Sequence, residues 1–232
     1  MNLILQTIPS TIVSEIISNS SFDGVVLDTE HGVFNNETLY SCIQIITSKH
    51  KKCFIRFTDL NKQLVRMCLD AGVNGVIFST VETKEYGNQI IDFCRYPSYK
   101  GKRGCGLVRE NKWGDQKLAI NNPVIIGQIE TKLAVDNIDD ITQCGFDMYI
   151  IGPYDLSNSL GCVEEWNNTT YKTYISKINN KIPSNKLGSF LPSIEIIKNF
   201  KQTKTDQSLL IFGLDTLFIK MGIETIKGII DQ

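Results

Sequence analysis

At 232 residues, with 42% apolar and 21% charged residues, the chain has the composition of an ordinary globular protein that can bury a sizeable core. Its 24 basic and 25 acidic residues leave a net charge of -1, which excludes the bulk field that nucleic acid or an anionic membrane would select. Seven cysteines, odd in number and never spaced C-x-x-C, argue against a disulfide framework and for reduced thiols in a cytoplasm. Met1 to Ser10 lacks the pattern of a signal peptide, and no apolar run reaches the length of a membrane span.

In chain order, apolar runs bounded by polar punctuation predict strands at Leu3 to Thr7, Gly24 to Thr29, Cys53 to Phe57, Gly75 to Ser79, Val124 to Ile129, Met148 to Ile151, Leu187 to Leu191 and Leu217 to Met221. Helical periodicity falls between and after them, at Thr11 to Ser18, Glu37 to Ser48, Lys62 to Ala71, Lys84 to Cys94, Ala134 to Cys144, Thr170 to Asn180, Ile194 to Phe200 and Ile223 to Ile230. Eight strand-then-helix repeats with strands apolar on both faces predict a single-domain (β/α)8 TIM barrel over the whole chain. Two stretches interrupt the rhythm. Arg95 to Asn122, with its proline and glycines, reads as a long functional loop, and Glu164 to Thr169 as a surface connection.

In such barrels the chemistry sits at the carboxyl ends of the strands. Asp28, Glu30 and His31 end the second strand, Arg56 nearly ends the third, Glu130 ends the fifth and Asp155 follows the sixth. Two carboxylates, Glu130 and Asp155, leave most of an octahedron open and suit Mg²⁺ or Mn²⁺, although a strand-end ion pair would use the same residues. Gly152-Pro153 favours a ligand, since glycine lets backbone approach it and the following amides can bind a carboxylate. His31 is a general-base candidate or a satisfied strand-end histidine; Arg56 is an oxyanion clamp or a buried structural arginine. Asp70 has a bland alternative as a residue near a helix end. His50, among lysines, reads as exposed. Lys220, in the last predicted strand, is weighed as a Schiff-base nucleophile and preferred as an outward lysine. Gly101 to Gly106 lacks the flanking strand and helix that a phosphate loop requires.

The ordered motifs FDGVVLDTEHG, FIRF, LDAGVNGVI, RYPSYKGKRGCG, QIET and GPYDLSNSLG, from Phe22 to Gly161, resemble the class II pyruvate aldolases of the 4-hydroxy-2-oxoheptanedioate aldolase and 2-dehydro-3-deoxyglucarate aldolase family, related to the citrate lyase β subunit. The resemblance implies a cytoplasmic (β/α)8 enzyme, commonly a hexamer, that makes or breaks a carbon-carbon bond between pyruvate and an aldehyde. It implies a divalent cofactor, Mg²⁺ or Mn²⁺ with Co²⁺ as a further candidate, held by Glu130 and Asp155. The amides of Tyr154 and Asp155, in the turn with Gly152 and Pro153, would hold the pyruvate carboxylate, and Gln128 would contact substrate or metal water. Arg56 would stabilise the enolate oxygen, His31 would act as base through a metal-bound water, and Asp70 would orient His31. The chain departs from the family pattern at Ser79-Thr80, where Pro-Met is usual. The RYP loop is one residue longer, the loop from Gly106 to Val124 is shorter, and the helix that usually precedes the first strand is missing. The alternatives are a citrate-lyase-like or malyl-CoA-lyase-like thioester lyase, a Schiff-base lyase using Lys220, and a degenerate, non-catalytic barrel.

Overall fold

A computed structural model of the protein describes residues 1–116, 122–202 and 207–231. Among them eight parallel strands close into a barrel, each paired with its sequence neighbours and the last with the first. The strands are β1 (Asn2–Gln6), β2 (Gly24–Asp28), β3 (Lys52–Phe57), β4 (Gly75–Phe78), β5 (Val124–Ile129), β6 (Met148–Ile151), β7 (Leu187–Leu191) and β8 (Leu209–Leu214). Around them run helices α1 (Thr11–Ser18), α2 (Asn36–Ser48), α3 (Lys62–Asp70), α4 (Lys84–Cys94), α5 (Lys132–Asp136), α6 (Ile138–Ile141), α7 (Pro153–Ser159), α8 (Thr169–Lys181), α9 (Ile194–Gln202) and α10 (Asp215–Ile230).

The period of two along each strand divides the core into two layers. Leu3, Leu5, Val26, Phe54, Ile77, Ile126, Ile150, Leu209 and Ile211 fill the barrel interior. Their alternates, among them Val25, Leu27, Ile55, Val76, Ile125 and Ile151, pack outward against the helices. Parity therefore decides which polar residues point inward. Asp28 follows Val26, Arg56 follows Phe54, Ser79 follows Ile77, and Gln128 and Glu130 follow Ile126, so all five belong to the inner face at the carboxyl end. Several helices begin there on side-chain caps: Asn35, Asn61, Thr83 and Thr131 each accept a first-turn amide.

The last repeat corrects the sequence expectation. The eighth strand is Leu209–Leu214; Leu217 to Met221 lies within α10, which absorbs the helix expected at Ile223 to Ile230. Two apolar runs stand in tandem here, and composition alone ranks LFIKM with LLIFG. Asp215 decides between them. Its Oδ1 accepts from Thr7 N (3.0 Å), Thr7 Oγ1 (2.8 Å) and Thr216 N (2.9 Å), and its Oδ2 from Ile8 N (2.8 Å), starting the helix and tying it to the end of β1. Lys220 is thereby an exposed residue of an outer helix, not a barrel lysine, and the Schiff-base alternative loses its nucleophile. Asp215→Ala should cost about 3 kcal/mol or more, because it strands several donors around a site only 4% exposed. A denaturant midpoint shifted by less than about 1 kcal/mol would show the closure to be held elsewhere.

The long segment after α4 also departs from expectation. It leaves the amino-terminal end of the barrel and feeds β5 from the same end. There Arg109 Nη2 donates to Thr47 Oγ1 near the end of α2 (2.8 Å), and Arg109 Nη1 to the carbonyl of Ala71 beyond α3 (2.5 Å). This loop thus lies opposite the carboxyl rim of its own chain; residues 117–121 fall outside the described part. The helix expected from Ala134 to Cys144 is split into α5 and α6. All seven cysteines are free, six buried and Cys105 exposed, and no helix among the described residues is long and apolar enough to cross a membrane.

Candidate active site

Register makes Arg56 the Cα partner of Asp28 across β2 and β3, and their side chains meet on the inner face. Arg56 donates from Nε to Asp28 Oδ1 (2.9 Å) and from Nη2 to Asp28 Oδ2 (2.7 Å), while Nη1 lies 3.0 Å from Glu30 Oε2. The guanidinium also sits 5.2 Å from the centroid of the Phe190 ring. Burial alone would discourage its charge. Asp28 and then Glu30 and Glu130 outweigh that and hold the group firmly protonated. Arg56 is therefore a fixed cation on a carboxylate platform, with its remaining Nη hydrogens available at the rim.

Glu130 is the contrasting case. It is 2% exposed, has no cation within salt-bridge distance among the described residues, and faces the negative fields of Glu30 and Asp155. Burial raises its carboxyl pKa above the ordinary value, hydrogen bonds from Gln128 and then Thr80 work against the rise, and the two acids add to it. Thr80 donates both its backbone N–H (2.6 Å) and its hydroxyl (2.9 Å) to Oε1, and Gln128 Nε2 is hydrogen-bonded to Oε2. Gly152 makes the crowding possible, since a Cβ there would lie 2.7 Å from Glu130 Oε2 and 2.8 Å from its Cβ. Thr80 adopts φ 51°, a left-handed conformation that costs a β-branched residue roughly 1–3 kcal/mol.

Asp155 lies in the first turn of α7, exposed beside this buried carboxylate. The amides of Tyr154 and Asp155 precede the first intrahelical bond, from Leu156 N to Gly152 O (3.0 Å), so both are donors that the helix itself does not use. The donor set fits a divalent cation. Four carboxylates, Asp28, Glu30, Glu130 and Asp155, stand against one guanidinium, and the buried Gln128 Oε1 and Ser79 Oγ have no hydrogen-bond partner among the described residues. Among the described residues no three His, Cys, Asp or Glu form a closed metal cage, so a cation here would keep open positions.

The structure brings together Arg56, Gln128, Glu130, Gly152, Pro153, Tyr154 and Asp155. His31 stands exposed on the loop just beyond β2, at the same end of the barrel. Asp70 does not join it. As the last residue of α3 it lies at the amino-terminal end, where its Oδ1 accepts from Arg103 Nη2 (2.9 Å), itself paired with Glu110. The expected pairing of Asp70 with His31 is absent within the chain, because α3 descends the full height of the barrel between β3 and β4. Asp28, Glu30, Thr80 and Phe190 join this rim with no role expected from the sequence. Asp28 and Glu30 were visible as strand-end charges, whereas Thr80 and Phe190 carry no local signal. An apolar cavity of about 410 Å³ adjoins this rim, with Pro153 and Phe190 in its lining together with Trp166, Tyr171 and Ile196; among the described residues no charged side chain lines it.

A family profile described as HpcH/HpaI aldolase/citrate lyase matches residues 9–199. The 2-keto-3-deoxy-L-rhamnonate aldolase of Escherichia coli (strain K12) is 33% identical over 156 residues, 64% of this chain and 58% of that protein. The enzyme of that name from Salmonella gallinarum (strain 287/91 / NCTC 13346) is 33% identical over 159 residues, 66% of this chain and 59% of that protein. The chain thus spans less than two thirds of the length of these relatives. Among solved structures, an HpcH/HpaI aldolase/citrate lyase family protein from Burkholderia cenocepacia J2315 superposes with a TM-score of 0.90 at 20% identity, over 100% of this chain and 95% of that one. The citrate synthase SbnG superposes with a TM-score of 0.82 at 27% identity, over 100% of this chain and 94% of the other.

Proposed function

The chain belongs to the HpcH/HpaI aldolase/citrate lyase family, and from that premise we propose that it is a divalent-metal-dependent aldolase, a carbon-carbon lyase that reversibly cleaves a 4-hydroxy-2-oxo acid or 2-oxo-3-deoxy sugar acid to pyruvate and an aldehyde. The observation that carries this reading is the buried Glu130 carboxylate, without a cationic partner among the described residues and beside Asp155, on the same rim as a guanidinium fixed by Asp28. Glu130 and Asp155 would hold the cation, Mg²⁺ or Mn²⁺ with Co²⁺ a further candidate, which when bound polarises the substrate ketone as a Lewis acid.

The protein groups then divide the remaining work. The unspent amides of Tyr154 and Asp155 bind the carboxylate of the 2-oxo acid, and the Gly152-Pro153 turn sets their direction. His31 accepts the proton of the C4 hydroxyl as the C3–C4 bond breaks, and the electron pair moves onto the pyruvate enolate. Arg56 offers oriented donors to the enolate oxygen as its charge grows. Return of that proton from His31 to C3 completes pyruvate. Gln128, whose amide already orders Glu130, keeps an unpartnered Oε1 for substrate or water.

Pyruvate release measured over a panel of 2-oxo-3-deoxy and 4-hydroxy-2-oxo acids, with and without EDTA, tests this function. Release that EDTA stops supports it; no release from any acid, or release indifferent to EDTA, overturns it. In the same assay His31→Ala should lower turnover by roughly 10²- to 10⁴-fold with little change in pyruvate affinity. Wild-type turnover would make the histidine structural. The likeness to the citrate synthase SbnG favours a second reading, in which the rim condenses instead of cleaving; an assay for citrate separates the two.

We further propose a homo-oligomer in the cytoplasm, with the family's hexamer as the expected size. Phe218, Ile219, Ile223, Ile226 and Ile229 leave one long helix apolar and exposed, and Ile12 and Ile16 do the same on α1. If Asp70 serves His31, it does so from another copy, since within one chain they occupy opposite ends of the barrel. Light scattering at micromolar concentration should give a mass several times that of the chain, and a monomer would reject the assembly.

A further inference from the structure

Thr80 is exposed on the rim, yet it holds a left-handed backbone that an unbranched or glycine residue would accept more readily. What holds it there is Glu130 Oε1, which takes both the Thr80 amide at 2.6 Å and the Thr80 hydroxyl at 2.9 Å. These two donors occupy the lone-pair directions of Oε1 and compete there with any cation. On the other oxygen Gln128 fills one position and leaves one open. The hydroxyl is the discretionary part of this arrangement, because any residue but proline at position 80 could supply the amide.

We propose that Thr80 is a positioning residue that makes Glu130 a one-oxygen ligand, so that the rim discriminates against cations that grip a carboxylate through both oxygens. The inference rests on the metal-dependent reading above and adds a selectivity to it. Ca²⁺ takes six to eight oxygens and readily binds carboxylates in the two-oxygen mode, whereas Mg²⁺ demands a tight octahedron and keeps several waters. Two donors held on Oε1 disfavour the mode that suits the larger ion, since a cation there must displace one of them. The buried hydroxyl of neighbouring Ser79 makes no hydrogen bond to Glu130, so Thr80 supplies the hydroxyl donor there.

The test is calorimetric titration of the metal-stripped, full-length protein with MnCl₂ and with CaCl₂, for wild type, Thr80→Ala, Thr80→Ser and Glu130→Gln. Thr80→Ala should shift the ratio of calcium to manganese affinity toward calcium by roughly fivefold, the factor that one hydrogen bond supplies. Thr80→Ser, which retains the hydroxyl, should stay near wild type. Position 80 is exposed, and melting curves of the variants check that the fold is unchanged. A ratio in Thr80→Ala within twofold of wild type, or Thr80→Ser behaving like Thr80→Ala, overturns the proposal while Glu130→Gln still loses both ions. If Glu130→Gln titrates like wild type, Glu130 is not a ligand, and the metal assignment falls together with the role of Thr80.

Discussion

Glu130→Gln is expected to abolish divalent-cation binding and, in the metal-free protein, to raise the melting temperature. Both effects follow from one feature, a carboxylate that is 2% exposed and faces Glu30 and Asp155 with no cation partner among the described residues. The variant amide can still accept from Thr80 through its oxygen. Its NH₂ group can donate to Gln128 once that side chain turns its unpartnered Oε1 inward. A desolvated charge is removed and the hydrogen bonds persist, for a gain on the order of 1 kcal/mol, or about 2–4 °C in a protein of this size. The pH dependence has a definite sign. Because burial raises the folded-state pKa of Glu130, the ionised group costs stability above that pKa, and the cost disappears as pH falls through it toward the ordinary carboxylate value. The advantage of the variant should therefore be full in mildly alkaline buffer and vanish in acid. Metal affinity should drop by more than about 100-fold, beyond the 10- to 100-fold that partners outside the ligand shell typically cost. Scanning calorimetry at two pH values and a manganese titration decide it. Unchanged affinity would remove the central assignment of the site.

Arg56→Lys is expected to slow catalysis by roughly 10²- to 10³-fold, the loss associated with one oriented oxyanion donor, and to change pyruvate affinity far less. The guanidinium is aimed by a two-point grip on Asp28, at 2.9 and 2.7 Å, so its outer nitrogens face the rim in one orientation. An ammonium keeps the charge but cannot span both Asp28 oxygens and still present donors at the same place. Only an interaction stronger in the transition state than in the ground state produces that split. Pyruvate proton exchange, measured beside the pyruvate dissociation constant in the presence of Mn²⁺, reads it directly. Exchange near wild type with collapsed binding would make Arg56 a carboxylate anchor and leave the enolate without this stabiliser. Since Asp28 is fully buried, melting curves must accompany the kinetics, so that a partly unfolded variant is not read as a slow one.

The barrel was legible in the sequence because a buried parallel strand announces itself locally. Seven of the strands follow from apolar runs with clear punctuation, and the carboxyl rim follows from what stands at their ends: Asp28-Thr29-Glu30-His31, Arg56, Gln128-Ile129-Glu130 and Gly152-Pro153-Tyr154-Asp155. The inward direction of Arg56 and Glu130 is equally local, since the period of two carries it from Phe54 and Ile126. Three matters had no local signature. The eighth strand was misplaced because two apolar runs compete there, and the winner is set by Asp215 binding Thr7 and Ile8 more than 200 residues away. The end of the barrel on which a residue finally lies was decided by chain direction: Asp70 and the loop after α4 sit at the amino-terminal end because a helix returns the chain there before the next strand. The pairing of Thr80 with Glu130 joins residues 50 positions apart that meet only when β4 and β5 pair side by side in the sheet. Local patterns determined the elements and the face each side chain takes; the pairing of strands distant in sequence, and closure of the last on the first, decided which of those side chains could act on one another.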